Sequence, residues 1–201
     1  MRLMRIITLA VAAMIAAAAG VQAQQFVPHH EVSLSVGTTP VSDYFTTYDY
    51  YPGPDYVPMS YKGPRYTCGV WTAAYGYNFS KWLYVGGGVS WYSEFSSVYS
   101  NVDNSKQRKD SYSLVSIMPT VRFSWLNRKW VRMYSTIGFG LSIETERHEM
   151  KYTTRYVGSK FTPVGIMVGR SFYGFAELSI GTQGFAIAGF GYRFNAKKVR
   201  Q

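Results

Sequence analysis

Four residues that could catalyse hydrolysis occupy every second position near the end of a predicted strand: Ser142, Glu144, Glu146 and His148. Serine, histidine and a carboxylate are the groups of a hydrolytic triad, in which the histidine activates the serine hydroxyl. Residues two apart on a strand are separated by about 6.6 Å, so a triad would draw its members from neighbouring strands. The sequence identifies no such neighbours. We therefore expect no enzyme and assign no catalytic residue, and a lipid hydrolase remains an alternative.

A larger set of candidate functional residues is charged. These residues recur on strand faces that otherwise carry glycine and serine. Carboxylates and guanidinium groups on such faces would pair inside a small barrel, since an unpaired buried charge is costly. We favour a packed network of ion pairs that blocks the lumen, and a narrow channel for small solutes is the alternative. The set comprises Glu31, Glu94, Glu144, Glu146, Glu177, Arg122, Arg132 and Arg193.

The strands themselves are predicted from strict alternation, which is clearest in residues 184–194, GFAIAGFGYRF. One face of this segment is apolar and aromatic, and the other is small and carries the charge. A soluble sandwich can show the same alternation. However, none of the 11 acidic residues falls on an apolar face, and the opposite faces hold glycine and serine rather than the polar residues of a solvated surface. This placement favours a cramped barrel interior over a water-facing sheet.

Connection lengths also favour a barrel. Three connections are short turns, near residues 80–82, 127–130 and 171–173, whereas residues 38–64, 100–110 and 147–159 are predicted as long loops. Short turns on one rim and long loops on the other are typical of outer-membrane barrels. The sequence predicts an all-β, eight-stranded antiparallel up-and-down transmembrane β-barrel with both termini in the periplasm. The predicted strands are 31–37, 65–79, 83–99, 111–126, 131–146, 160–170, 174–181 and 185–194.

Aromatic residues in the short turns are predicted to form a belt at the periplasmic membrane interface: Trp82, Trp130, Phe172 and Tyr173. Such rings sit at headgroup level beside cations that reach outward.

The first long loop is rich in tyrosine and proline, with Tyr44, Tyr48, Tyr50, Tyr51, Tyr56 and Tyr61 as candidate binding residues. It could cap the barrel mouth or rest on lipopolysaccharide, or it could bind an extracellular ligand. The basic segment 104–109 is predicted as a solvated hairpin that contacts lipopolysaccharide phosphates.

The ends of the chain indicate export. Residues 1–23 have a positive start, an apolar run and a small-x-small ending, which predicts a signal peptide; residues 24–201 then form the barrel, with a basic tail at 195–201. The net charge of +10 suits an anionic partner. Because the chain is exported, we expect that partner to be outer-membrane lipid rather than nucleic acid. No metal-ligand spacing or cofactor motif is found, so neither a metal nor a cofactor is expected.

The signal peptide, the eight alternating strands and the ending GFGYRF resemble the small outer-membrane barrels of Gram-negative bacteria, the OmpA/OmpX-like group. This resemblance implies that Tyr192 and Phe194, in the last strand, are read by the barrel-assembly machinery. The chain departs from the family pattern because residues 195–201 follow that signal. The expected function is a structural or surface-interaction role exerted through the extracellular loops.

Overall fold

The computed structural model describes residues 27–40, 60–147 and 151–195, which form strands and turns without a helix. The strands are β1 (His29–Gly37), β2 (Ser60–Lys62), β3 (Tyr66–Asn78), β4 (Leu83–Ser100), β5 (Lys106–Asn127), β6 (Val131–Arg147), β7 (Lys151–Gly169), β8 (Phe172–Gly181) and β9 (Ala186–Asn195). The predicted signal peptide and the tail beyond residue 195 lie outside the described residues.

Eight of these strands close into a ring. Each pairs antiparallel with its neighbours in the order β1, β3, β4, β5, β6, β7, β8 and β9, and β9 pairs back onto β1. Over the height at which all eight strands pair, the closed ring satisfies their backbone N–H and C=O groups, as a sheet surrounded by lipid requires. The predicted eight-stranded antiparallel barrel is therefore confirmed.

The wall of the ring is much taller on one side than on the other. Strands β4 to β7 contain 17 to 22 residues, whereas β1, β8 and β9 contain 9 or 10. We call the protruding part of β4–β7, residues 93–100, 106–113, 144–147 and 151–159, the tall wall. The prediction of long loops at 100–110 and 147–159 is wrong over most of their length. Most of these residues belong to strands, because they continue the pairing of β4 with β5 and of β6 with β7.

Strand β2 is a further correction to the predicted loop at 38–64. It pairs with the end of β4, where Tyr61 lies opposite Tyr99, and so continues the line of β3 beyond a short gap. Apart from the early starts of β5 and β7, the strand ends lie within two residues of those predicted.

The two faces of the ring differ as the alternation predicts. Outward-facing residues such as Trp71, Val89, Ile117, Phe139 and Leu141 are exposed, whereas the inward-facing residues between them are small or buried. An exposed apolar surface that continues around the ring is unstable in water and suits lipid. We call this surface the apolar band.

Inward-facing glycines make room for large tyrosine rings. A Cβ atom on Gly165 would lie within 2.6 Å of two ring atoms of Tyr134, and one on Gly191 would overlap the ring of Tyr173. Both tyrosines are almost completely buried. The small residues of the inner faces are therefore required by the tyrosines that fill the lumen.

A β-bulge at Pro163 changes the phase of β7. Pro163 and Val164 both face outward, whereas Thr162 and Gly165 on either side of them are buried. The pairing with β6 shifts at the same place, and the Ser135 hydroxyl donates a hydrogen bond of 2.6 Å to the Pro163 carbonyl. An extra residue in one strand reverses which positions face inward. Lys160 and Met167 therefore both face the lumen. Without the bulge, an even-numbered and an odd-numbered residue of one strand would face opposite sides.

Candidate functional site

The deepest charged group in the lumen is Glu31 of β1, whose side chain is 1% exposed. Arg122 of β5 donates a close hydrogen bond to Glu31 Oε1, and Arg193 Nε of β9 lies 3.3 Å from Glu31 Oε2. Strands β1 and β5 are not neighbours in the ring, so the contact between Arg122 and Glu31 crosses the lumen. This ion pair therefore occupies the centre of the barrel.

Aromatic rings hold the two guanidinium groups in place. The guanidinium of Arg122 lies 4.2 Å from the centre of the Tyr84 ring and 4.7 Å from that of Tyr134. The guanidinium of Arg193 lies 4.3 Å from the centre of the Tyr173 ring. Cation–π contacts gain strength where water is excluded. They restrict both arginines to positions from which they reach Glu31.

A second ion pair is connected to the first through Tyr134. Lys160 Nζ lies 2.6 Å from Glu177 Oε2, and the Tyr134 hydroxyl donates a hydrogen bond of 2.8 Å to Glu177 Oε1. Both Glu177 and Lys160 are buried. Lys160 was not among the predicted residues, because the bulge at Pro163 hides its inward phase from a simple two-residue reading.

Arg132 joins the same cluster through an amide. Its Nη1 donates a hydrogen bond of 3.2 Å to Asn78 Oδ1, and Asn78 Nδ2 lies 3.4 Å from Glu31 Oε2. We call the connected set the lumen network; it contains Glu31, Asn78, Arg122, Arg132, Tyr134, Lys160, Glu177 and Arg193. The structure thus brings five of the eight predicted charged residues together.

The other three predicted charges lie nearer the tall rim. Glu94 accepts a hydrogen bond of 2.7 Å from the Tyr92 hydroxyl and lies 3.5 Å from Arg65 Nε. Glu144 and Glu146 are half-buried on the inner face of β6. The predicted set is therefore divided between two levels of the molecule.

Little open space remains beside the lumen network. A cavity of about 30 Å³ is lined by Arg122 and Glu177 together with polar residues such as Ser33, Thr72 and Gln183. One water molecule needs roughly 10–15 Å³ of such a cavity, so about two water molecules fit. The cavity is too small for a hydrated solute.

Residues 9–197 match the model of the family described as "Outer membrane protein beta-barrel domain". The chain belongs to that family. A search of the curated proteins found no match. Membership of this family places the protein in the outer membrane.

The described residues of this outer-membrane barrel contain no helix that is long and apolar enough to cross a membrane. The same residues contain no group of three or more His, Cys, Asp or Glu side chains arranged to hold a metal ion.

The serine considered for hydrolysis faces the lumen. Ser142 is completely buried, and its hydroxyl lies 2.8 Å from that of Ser116 on the neighbouring strand. His148 lies outside the described residues. The Ser142 hydroxyl is therefore engaged inside the barrel and does not face the acyl chains of the surrounding lipid.

Three of the four residues predicted for the aromatic belt lie on the outside of the short-turn rim. Trp82, Trp130 and Phe172 are exposed, and the Arg170 guanidinium lies 4.3 Å from the centre of the Trp130 ring. The prediction for Tyr173 is wrong. This residue is 1% exposed and points into the lumen, because adjacent residues of a strand face opposite sides and Phe172 faces outward.

The residues implied as the assembly signal lie on the outer face of β9. Tyr192 and Phe194 are exposed, and their rings stack on each other with centroids 6.4 Å apart. Phe194 also stacks on His30 of β1 across the seam that closes the ring.

Of the six loop tyrosines, the structure describes Tyr61 alone. Tyr44, Tyr48, Tyr50, Tyr51 and Tyr56 lie outside the described residues. Tyr61 belongs to β2, where its ring stacks on Tyr99 and its hydroxyl donates a hydrogen bond of 3.1 Å to Asn104 Oδ1. Its contacts are those of a strand residue that braces the tip of the tall wall.

Proposed function

We propose that the protein is a structural and surface-interacting barrel of the outer membrane, with a sealed lumen and no catalytic turnover. The observation that carries this proposal is the contact between Arg122 and Glu31, which crosses the lumen and is enclosed by buried tyrosine rings. A small barrel filled by paired side chains offers a rigid support rather than a passage.

Conductance measurements test the sealed lumen. Wild-type protein refolded into a planar bilayer should show no stepwise current. A Glu31→Ser/Arg122→Ser variant, which removes the central pair, should show steps because water and ions can then enter. The variant shows that the assay can detect an open barrel. Stepwise current through the wild-type protein would instead support the narrow channel.

The same preparation tests for catalysis. Incubation of the wild-type protein with lipopolysaccharide should release no fatty acid. Acyl-chain release that Ser142→Ala abolishes would replace the proposal with the lipid hydrolase.

We infer that the short-turn rim and both termini face the periplasm and that the tall wall faces the outside. The exposed Trp82 and Trp130 with nearby cations support this orientation, as do the short turns themselves. Cys68, the single cysteine, is exposed near the base of the tall wall. A membrane-impermeant thiol reagent should label it in intact cells, whereas a Cys68→Ser/Lys129→Cys variant should remain unlabelled. Labelling of the variant but not of the wild-type protein would mean that the short-turn rim faces the outside and the tall wall the periplasm.

One edge of the tall wall, which no described strand covers, supports a surface interaction. Lys151 to Ser159 of β7 pair with β6, but β8 pairs with β7 only from Lys160 onward. No described strand covers the other edge of residues 151–155. Such an edge presents backbone donors and acceptors that an extended peptide can pair with. A peptide strand is therefore the extracellular ligand that this part of the molecule fits best.

We further infer that the barrel-assembly machinery recognises Tyr192 and Phe194, which lie exposed on the last strand. A Tyr192→Ala/Phe194→Ala variant should accumulate unfolded in the periplasm, whereas Phe139→Ala, on the same outer surface, should assemble. Normal assembly of the double variant would remove this partner from the proposal.

A further inference from the structure

Four cations lie together on the outer face of the tall wall. Lys109 of β5, Arg147 of β6, and Lys151 and Arg155 of β7 are all exposed. Their outward direction follows from the alternation, since Val115, Leu141 and Val157 on the same faces of these strands are exposed and the residues beside them are buried or half-buried. We call these four residues the basic outer patch.

The two faces of the tall wall differ in charge, because the carboxylates are confined to the inner face and the described outer face carries cations alone. The inner face holds Glu94, Asp110, Glu144 and Glu146, and two of these carboxylates pair with Arg65 and Arg108. The described part of the outer face carries no carboxylate. Charges scattered only for solubility would mix both signs on one surface. The separation by face indicates that the outer face meets something negative.

Within the basic outer patch, like charges stand side by side. Arg147 lies directly opposite Lys151 in the register of β6 and β7, an arrangement that destabilises a sheet. No described carboxylate forms an ion pair with Arg147, Lys151 or Arg155. Lys109 lies 4.5 Å from the centre of the Phe95 ring, which leaves its ammonium free to bind an anion. An external anion would relieve this repulsion.

The patch begins where the apolar band ends. Arg155 lies opposite Ile143 in the register, and Val157, which is 76% exposed, is the next outward-facing residue below Arg155 on β7. A side chain two residues above the acyl region lies at the level of lipid headgroups, about 6.6 Å higher along the strand. The anion that fits this level is therefore the headgroup of a lipid whose acyl chains cover the band.

We propose that the basic outer patch binds the phosphate groups of the outer-leaflet glycolipid, lipopolysaccharide. This inference rests on the proposed function, because it requires the tall wall to face the outside. Guanidinium and ammonium groups form short, charge-assisted hydrogen bonds with phosphate oxygens. Bound lipopolysaccharide would hold β5, β6 and β7 at a fixed depth and would neutralise their repulsion.

Binding of lipid A by the refolded protein, measured by native mass spectrometry, tests the proposal. Wild-type protein should bind bisphosphorylated lipid A about tenfold more tightly than dephosphorylated lipid A, because exposed charge pairs contribute modestly and add together. An Arg147→Gln/Lys151→Gln/Arg155→Gln variant should lose this preference. A Lys81→Gln/Arg128→Gln/Lys129→Gln variant removes the same number of charges from the short-turn rim and should keep it.

Three results would overturn the proposal. The first is equal binding of both lipids by the wild-type protein. The second is an unchanged preference for bisphosphorylated lipid A in the Arg147→Gln/Lys151→Gln/Arg155→Gln variant. The third is complete displacement of lipid A by an excess of inorganic phosphate, which would indicate a site for the free ion. The conductance experiment contains no lipid A, and the thiol labelling measures access of the reagent rather than lipid binding, so both report on the sealed lumen and the orientation independently of this result.

Discussion

The lumen network and the tall wall are built from the same strands, yet they manage charge in different ways. On β5, Arg122 points inward and pairs across the lumen, whereas Lys109, near the other end, points outward toward the surroundings. Within the ring, charges are confined to the inner face and matched with opposite charges at short distance. In the tall wall, both faces carry charge: carboxylates pair with arginines on the inner face, whereas the described outer face carries cations alone. The comparison shows that the medium outside the strand decides which faces can be charged.

Removal of the central carboxylate should have the largest effect on this contrast. Glu31→Ala leaves Arg122 and Arg193 without their partner in a closed space. It should lower the free energy of unfolding by about 3–5 kcal/mol, as for other broken buried pairs. Urea unfolding of the refolded protein in lipid vesicles measures this change. Asp103→Ala, in the exposed turn between β4 and β5, should cost less than about 0.5 kcal/mol. Equal effects of the two changes would mean that the charges of the lumen network are not a buried, paired system.

A charge placed on the outer face should distinguish the apolar band from the tall wall on a single strand. Ile117→Arg puts a guanidinium into the band and should cost about 2–4 kcal/mol, whereas Ser111→Arg should cost about 0–1 kcal/mol because it lies near the interface. Both residues face outward on β5. Urea unfolding in lipid vesicles measures the loss of unfolding free energy for each variant. Similar losses would show that Ser111 also lies within the apolar band.

A methyl group added inside the lumen should test how tightly the ring is packed. Gly165→Ala drives a Cβ atom into the Tyr134 ring and should cost about 1–3 kcal/mol through overpacking. Gly174→Ala is the matched control, since its Cβ atom would meet nothing closer than the Gly189 carbonyl oxygen at 3.9 Å. The urea midpoint of unfolding, compared between Gly165→Ala and Gly174→Ala, measures this cost. A tolerated Gly165→Ala would mean that Tyr134 has room to move.

The smallest expected effect is at the tip of the tall wall. Asp103 accepts hydrogen bonds from the Ser105 backbone N–H at 3.1 Å and from its hydroxyl at 2.8 Å. These bonds hold the pKa of Asp103 below its usual value of 3.8. A lowered folded-state pKa means that the turn is stabilised above the unfolded pKa and that this contribution is lost as the pH falls through the folded pKa.

An NMR titration of the Ser105 amide measures this transition. The midpoint should lie below 3.8 in the wild-type protein, and Asp103→Asn should abolish the transition. A wild-type midpoint at or above 3.8 would show that the turn does not hold the carboxylate in its charged form.

The fold could be predicted from the sequence because its signal is repeated in every strand. Alternation and the position of the charges gave the ring and the outward face, and they identified Glu31 and Arg122 as lumen residues. They did not identify which charges pair, since the contact between Arg122 and Glu31 depends on how the strands wrap around the axis. That pairing is a property of the closed ring and is absent from any single strand.

The errors have local physical causes. Lys160 was missed because a bulge at Pro163 reverses the phase of β7, and one extra residue leaves little trace in a two-residue pattern. Tyr173 was placed in the belt because it follows the outward-facing Phe172 in a turn, although the strand already begins at Phe172. The sequence predicts loops for residues 106–110 and 151–159 of the tall wall, because their mostly polar outer faces do not show the apolar alternation of the other strands.

The seam between β1 and β9 has a consequence for how the barrel opens. Glu31 and Arg193 are register partners across this seam, so the backbone ladder and a buried charge pair are completed together. A sheet with the seam apart would expose backbone groups to lipid and would also separate that pair. Lateral opening at β1 and β9 is therefore strongly cooperative: the seam closes or parts as a unit, and partial fraying is suppressed.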